Sequence, residues 1–144
     1  MPTYKVYHHN ITMALEKKES IAKAITELHT KITGADNFFA QVIFHEIYYQ
    51  NHFIGGKISK DKQIFIIAHI REGRPKNLRK QLLHKITEKI STILSLDNSQ
   101  IWIYIEELSH INMVEYGHIL PEPGKEKQWV ENLDFKLKSK ILNN

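Results

Sequence analysis

Apolar and polar residues alternate from Pro2 to His8, with Tyr4 and Val6 on one side, which predicts a strand with one buried face. From about Thr12 to Ile32 the period becomes helical, and Ile21, Ala22, Ile25, Leu28 and Ile32 form an apolar stripe. ITGADN breaks that helix. FFAQVIFHEI, rich in β-branched and aromatic residues, predicts a second strand, and NHFIGGKISKDK a loop or short hairpin.

The pattern then recurs. QIFIIAHI reads as a strand, PKNLRKQLLHKITEKISTIL as a helix and QIWIYIEEL as another strand. A shift of 61 positions sets Tyr4 on Phe65, Val6 on Ile67, Ala22 on Leu83, Ile25 on Ile86, Ile32 on Ile93 and Phe44 on Ile105. The chain is thus a tandem β-α-β repeat, with halves at about 2–48 and 63–108 and a C-terminal segment at 109–144. Each half closes with a right-handed crossover and parallel strands, giving an α/β (α+β) fold: a four-stranded sheet with two helices on one face. QIFIIAHI and IWIYI also carry apolar residues on the other face, more than two helices can cover, so an oligomer is expected.

A length of 144 residues suits one domain spanning the chain. No apolar run approaches the ~20 residues of a membrane span, and the N-terminus is polar too early for a secretory signal. The absence of cysteine excludes disulfides, thiolate metal sites and cysteine nucleophiles, and makes a cytoplasmic protein the expectation. Net charge is +4, but it is mostly lysine scattered along helices and gathered in the tail KLKSK, a solvated surface more than a nucleic-acid interface. Arginine is more informative: of 20 basic residues only Arg71, Arg74 and Arg79 are arginines, and two of them lie in REGR.

In IREGRPKNL, Pro75 fits the first helical position and Gly73 a tight turn, so Arg71 and Arg74 fall where a strand ends and a helix begins. Such a helix start favours an anion, and two guanidinium forks match a carboxylate, although two solvated loop arginines would read the same way. Pro2 offers a secondary amine once Met1 is removed, a titratable nitrogen that its repeat counterpart Gln63 lacks. Tyr104 shares a strand face with Trp102 and Glu106, where a sheet aromatic is the simpler reading. Glu115 lies in the irregular-looking SHINMVEYGHILPEPG, where a surface glutamate is the simpler reading and partial burial or a nearby cation would tune its acidity. His29 stands at the edge of the first helical stripe, where a packed histidine is the simpler reading, and no histidine pair shows metal-ligand spacing.

MPTYKVY, KAIT-LH--TGA, AQVIF-E, IGG, REGR, IWIY, MVEYG, LP-PG and a tryptophan before NL, over about residues 2–133, resemble the tautomerase superfamily. Within it the chain is similar to the cis-3-chloroacrylic acid dehalogenase group. The resemblance implies a cofactor-free, metal-free homotrimeric enzyme with Pro2 as catalytic amine and His29, Arg71 and Arg74 binding a small carboxylate substrate. It also implies that Tyr104 and Glu115 activate water. Hydration or hydrolytic dehalogenation of a cis-3-haloacrylate is the leading expectation. Keto-enol tautomerisation of an enol acid such as phenylenolpyruvate, and a non-catalytic basic binding protein, are the alternatives. IYYQNHF, before IGG, and the lysine-rich tail depart from the group's pattern.

Overall fold

The computed structural model describes residues 2–142. The expected loss of Met1 concerns a residue outside that range, as are Asn143 and Asn144.

Strand β1 (Thr3–His9) leads to helix α1 (Leu15–Thr33) and strand β2 (Gln41–Ile47). A short hairpin, β3 (Phe53–Ile54) and β4 (Lys57–Ile58), follows. Strand β5 (Gln63–Arg71), helix α2 (Lys76–Leu94) and strand β6 (Ile101–Leu108) repeat the unit, and β7 (Val114–Glu115) with β8 (His118–Ile119) repeats the hairpin. Helices α3 (Glu126–Glu131) and α4 (Phe135–Leu142) complete the chain, the latter built from most of the lysine-rich tail. The single 3-10 turns at Asn37–Phe39 and Tyr49–Asn51 recur 61 positions on, at Asn98–Gln100 and His110–Asn112, but the first strand of each half slips by one residue. Tyr4 and Val6 face the helices, while Phe65 and Ile67, expected to match them, face away and Ile64 and Ile66 fill the core.

The main sheet has the order β2-β1-β5-β6. β1 runs parallel to β2 and β5 parallel to β6, while β1 and β5 meet antiparallel at the centre. One face packs on both helices: Tyr4, Val6, Ile64, Ile66, Ala68, Ile70 and Ile101 join Ile21, Ile25, Leu82, Ile86 and Ile90 in one buried cluster. At ~25 cal/mol per Å² this burial is the main driving force for folding. The other face carries a ladder of rings, Tyr7 stacked on His45 and Phe65, and Phe65 edge-on to Tyr104 at 5.0 Å. Trp102 is 42% exposed there and Tyr104 55%. Among the described residues no helix is long and apolar enough to cross a membrane.

Local details correct the sequence reading. Helix α1 starts at Leu15, not near Thr12, since Ala14 is extended, and its buried stripe is Ile21, Ala24, Ile25 and His29. Ala22 lies one residue, about 100°, off that line and is only half-buried, with Leu28 and Ile32 at the margin. Pro75 caps α2 with an extended ψ of 146° and is not the first helical residue; its φ suits either position, so ψ decides. β2 begins at Gln41 because the preceding Phe39 turns into a second cluster with Ala35, Met113 and Leu120. The segment around Glu115 is a hairpin, not irregular: Tyr116 and Gly117 have φ of 53° and 83°, the pair of positive angles a two-residue type I′ turn requires.

Candidate active site

The first strand delivers its head to a crowded corner. Thr3 pairs with Gln41 on one side and with His69 on the other, so Pro2 lies beside the Ile70–Arg71 end of β5. Pro2 is buried, and its carbonyl accepts a hydrogen bond from the Gln41 amide at 2.9 Å.

Two residues on, Tyr4 points to the helical face and meets α1. Its hydroxyl lies 2.8 Å from Nδ1 of His29, with both side chains buried. Burial raises the Tyr4 pKa far above the ordinary phenol value, so Tyr4 stays protonated. Burial, then the charge of Arg74, lowers the His29 pKa to about 3, so the imidazole is neutral at neutral pH. In the tautomer whose Nδ1 accepts from the Tyr4 hydroxyl, the ring proton sits on Nε2 and makes that nitrogen a donor.

Arg71 ends β5 and is 1% exposed. Its NH1 donates to the Pro121 carbonyl at 2.8 Å, its NH2 pairs with Glu126, and its Nε is buried without a hydrogen-bond partner. Arg74 is half-buried and donates through NH1 to the Thr33 carbonyl at 2.9 Å, at the end of α1. Desolvation and then the Arg71 charge lower the Arg74 pKa, with Glu126 acting against them. Neither arginine is the free loop side chain that the sequence allowed.

An open cleft of about 740 Å³ lies at the same end of the sheet, lined by Thr3, Gln41, Phe38, Val42, Glu115 and Tyr116, among others. Glu115 is partly buried in its wall, and the Tyr116 hydroxyl donates to the Phe38 carbonyl at 2.7 Å, which holds the hairpin down. Desolvation and the adjacent Glu115 charge raise the Tyr116 pKa. Tyr104 is not among the cleft's residues and stands on the open sheet face against Phe65. Pro2, His29, Arg71 and Arg74 therefore gather in one corner, Glu115 lies in the adjoining cleft, and Tyr104 stands apart within a single chain. Among the described residues no group of three or more His, Cys, Asp or Glu could hold a metal ion.

A family model described as "Putative oxalocrotonate tautomerase enzyme" matches residues 1–133. The chain belongs to the tautomerase superfamily. Comparison with curated proteins gives no match. A crystal structure of N1, a member of the cis-3-chloroacrylic acid dehalogenase family, is 32% identical, with a TM-score of 0.94 over 99% of each chain. Native Ps01740 is 25% identical, with a TM-score of 0.73 over 78% of this chain and 99% of that one. A fused 4-OT solved as an asymmetric trimer is 22% identical, with a TM-score of 0.74 over 81% and 94%, a likeness of fold.

In this tautomerase-superfamily chain the repeat is chemically lopsided. Sixty-one positions from Pro2, His29, Arg71 and Arg74 stand Gln63, Ile90, Asn10 and Met13, which offer neither amine nor paired cations. The polar corner thus occurs once per chain although its scaffold occurs twice.

Sequence reasoning missed two members of the corner. Tyr4 read as core, although it shares a strand face with Pro2. Glu126 carried only a weak signal, a carboxylate shortly after the turn PEPG. It reaches Arg71 because Phe39, Met113 and Leu120, with Trp129 against them, anchor the C-terminal segment, and Trp129 Nε1 donates to the Ile119 carbonyl at 2.9 Å.

Proposed function

We propose that this tautomerase-superfamily protein is a cofactor-free enzyme that uses the Pro2 amine on a small unsaturated carboxylate, by hydration or hydrolytic dehalogenation of a cis-3-haloacrylate. The observation that carries the reading is the pairing of Arg71 and Arg74 with neutral His29 at the strand end that Pro2 meets. Two cations beside a neutral imidazole in one corner suit a small oxyanion, of which a carboxylate is the simplest.

In this reading Arg71 and Arg74 bind the acid and draw electron density from the double bond, leaving C3 electrophilic. Glu115 takes a proton from water as its oxygen bonds to C3, and cationic Pro2 gives a proton to C2. The C3 adduct carries both hydroxyl and halogen. It expels halide, and loss of the hydroxyl proton leaves an aldehyde acid of the malonate semialdehyde type. Pro2 must be the first residue for this chemistry, since a retained Met1 would make its nitrogen an amide.

Tyr104 enters through assembly. Its exposed position on a ring-lined open face supports a homotrimer in which that face is covered and Tyr104 of the partner subunit approaches Glu115. Neighbours of the same fold include trimers.

One observation favours a second reading. Desolvation and then the Arg71 charge lower the Arg74 pKa, and an amine kept neutral in such surroundings would let Pro2 act as a base for keto-enol tautomerisation. The deciding experiment is chloride release from cis-3-chloroacrylate by protein whose intact mass shows Met1 absent, run beside Arg71→Ala and Glu115→Gln. Turnover lost in both variants is the expected result. No release, with phenylenolpyruvate still ketonised, would transfer the assignment to the tautomerase reading.

A further inference from the structure

Glu126 is the one carboxylate ion-paired with the arginine corner among the described residues, and the mechanism above does not use it. Its side chain is 20% exposed and that of its partner Arg71 1%, so the pair is largely withdrawn from water. A buried guanidinium requires a counter-charge, and this one comes from inside the fold. Burial opposes the ionisation of Glu126, but the hydrogen bond from Arg71 and the charges of Arg71 and Arg74 outweigh it and lower its pKa. Glu126 is held there by α3, whose Val130 is buried and whose Trp129 is tied to Ile119.

We infer that Glu126 is an internal counter-carboxylate that sets the corner to accept a monocarboxylate and to reject a dicarboxylate. This assignment rests on reading Arg71 and Arg74 as a carboxylate site. Glu126 cancels one of the two guanidinium charges, and the cationic Pro2 and anionic Glu115 of the proposed mechanism cancel each other. One positive charge remains, and half-buried Arg74 is the guanidinium left to meet the ligand. A single carboxylate neutralises it. A second would leave an unpaired anion in a desolvated corner that already holds Glu126, and like charges there are strongly repelled.

The test compares acrylate with maleate, whose second carboxylate sits where a cis-3-haloacrylate carries its halogen. Calorimetric titration of the full-length, Met1-free protein reads binding without turnover. The wild type is expected to bind acrylate at least about tenfold more tightly than maleate, the scale set by one repelled charge in a desolvated site. Glu126→Gln keeps an oxygen for Arg71 but drops the charge, and the acrylate-to-maleate ratio should fall by about tenfold or more. Glu126→Asp keeps the charge and should keep the wild-type preference.

Wild-type protein that binds maleate as tightly as acrylate overturns the inference without any variant. So does Glu126→Gln that changes both affinities by one factor. Arg74→Ala separates the levels. If it abolishes acrylate binding while Glu126→Gln leaves the ratio untouched, Glu126 has no role in selection and the carboxylate site stands. If acrylate binding ignores Arg74→Ala, the carboxylate site itself fails, and the inference with it.

Discussion

Tyr4 and His29, 25 residues apart, share a buried hydrogen bond of 2.8 Å between the Tyr4 hydroxyl and Nδ1 of the ring. The bond sets which imidazole nitrogen keeps its proton. Tyr4→Phe removes the phenol and leaves a buried nitrogen unpaired, so it should cost about 1–3 kcal/mol of stability. In nitrogen NMR of the wild type the His29 proton is expected on Nε2, and Tyr4→Phe should mix the two tautomers. A wild-type ring protonated on Nδ1 would mean that His29 donates to Tyr4 and leaves Nε2 as an acceptor.

The same ring makes a prediction about acid. His29, lowered from 6.5 to about 3 in the folded chain, stays neutral while the unfolded chain takes up a proton below pH 6.5. The folded state then binds fewer protons, so His29 makes stability fall as pH drops from 6.5 towards 3, by ~1.4 kcal/mol per pH unit at most. His8 and His52, also lowered chiefly by burial, act in the same direction. The Glu126 contribution is present above its ordinary 4.5 and is lost only below it, as pH falls through the lowered folded value. Urea midpoints between pH 4.5 and 6.5 should therefore show a slope that His29→Gln makes shallower. An unchanged slope would show that His29 is protonated in the folded chain.

Arg71 and Arg74 should separate stability from binding. Arg71→Ala strands Glu126 and removes the bond to Pro121, so a loss of about 3–5 kcal/mol is expected. Arg74→Ala gives up one bond to the Thr33 carbonyl at a half-buried site, a loss of about 1 kcal/mol. Thermal melts of the two variants should differ clearly, and both should fail to bind acrylate.

Gly117 has a φ of 83° and no atom within 4 Å of where a Cβ would stand. Gly117→Ala therefore acts through backbone strain, about 1–2 kcal/mol confined to the hairpin that carries Glu115. Turnover should drop while the melting temperature of the main sheet changes by only a few degrees. Equal turnover would detach Glu115 from the chemistry.

Assembly is testable in the same way. Ile67→Lys places a charge in the middle of the open sheet face, between the Phe65 and His69 positions. The expected result is conversion of a trimer, by light scattering, into monomers that retain the far-ultraviolet circular dichroism of the fold. A wild-type monomer would leave Tyr104 remote from Glu115 and remove it from the proposed mechanism.

What the sequence determined by itself is local or periodic. A strand alternates every two residues and a helix every 3.6, so four strands, two helices and the recurrence of the unit, though not the one-residue slip between Tyr4 and Phe65, can be read directly. So can the fact that Trp102 and Tyr104 share the face opposite Ile101 and Ile103. REGR before a proline located both arginines at a strand end because turn chemistry is also local. The tertiary structure alone decided which of these residues meet. The Arg71–Glu126 pair joins residues 55 positions apart, and neither flanking pattern predicts the other. Sequence likewise left open whether Arg71 was solvated. It is buried because the C-terminal segment folds over it, and that folding is driven by apolar burial of Phe39, Met113 and Leu120, an interaction without direction or period.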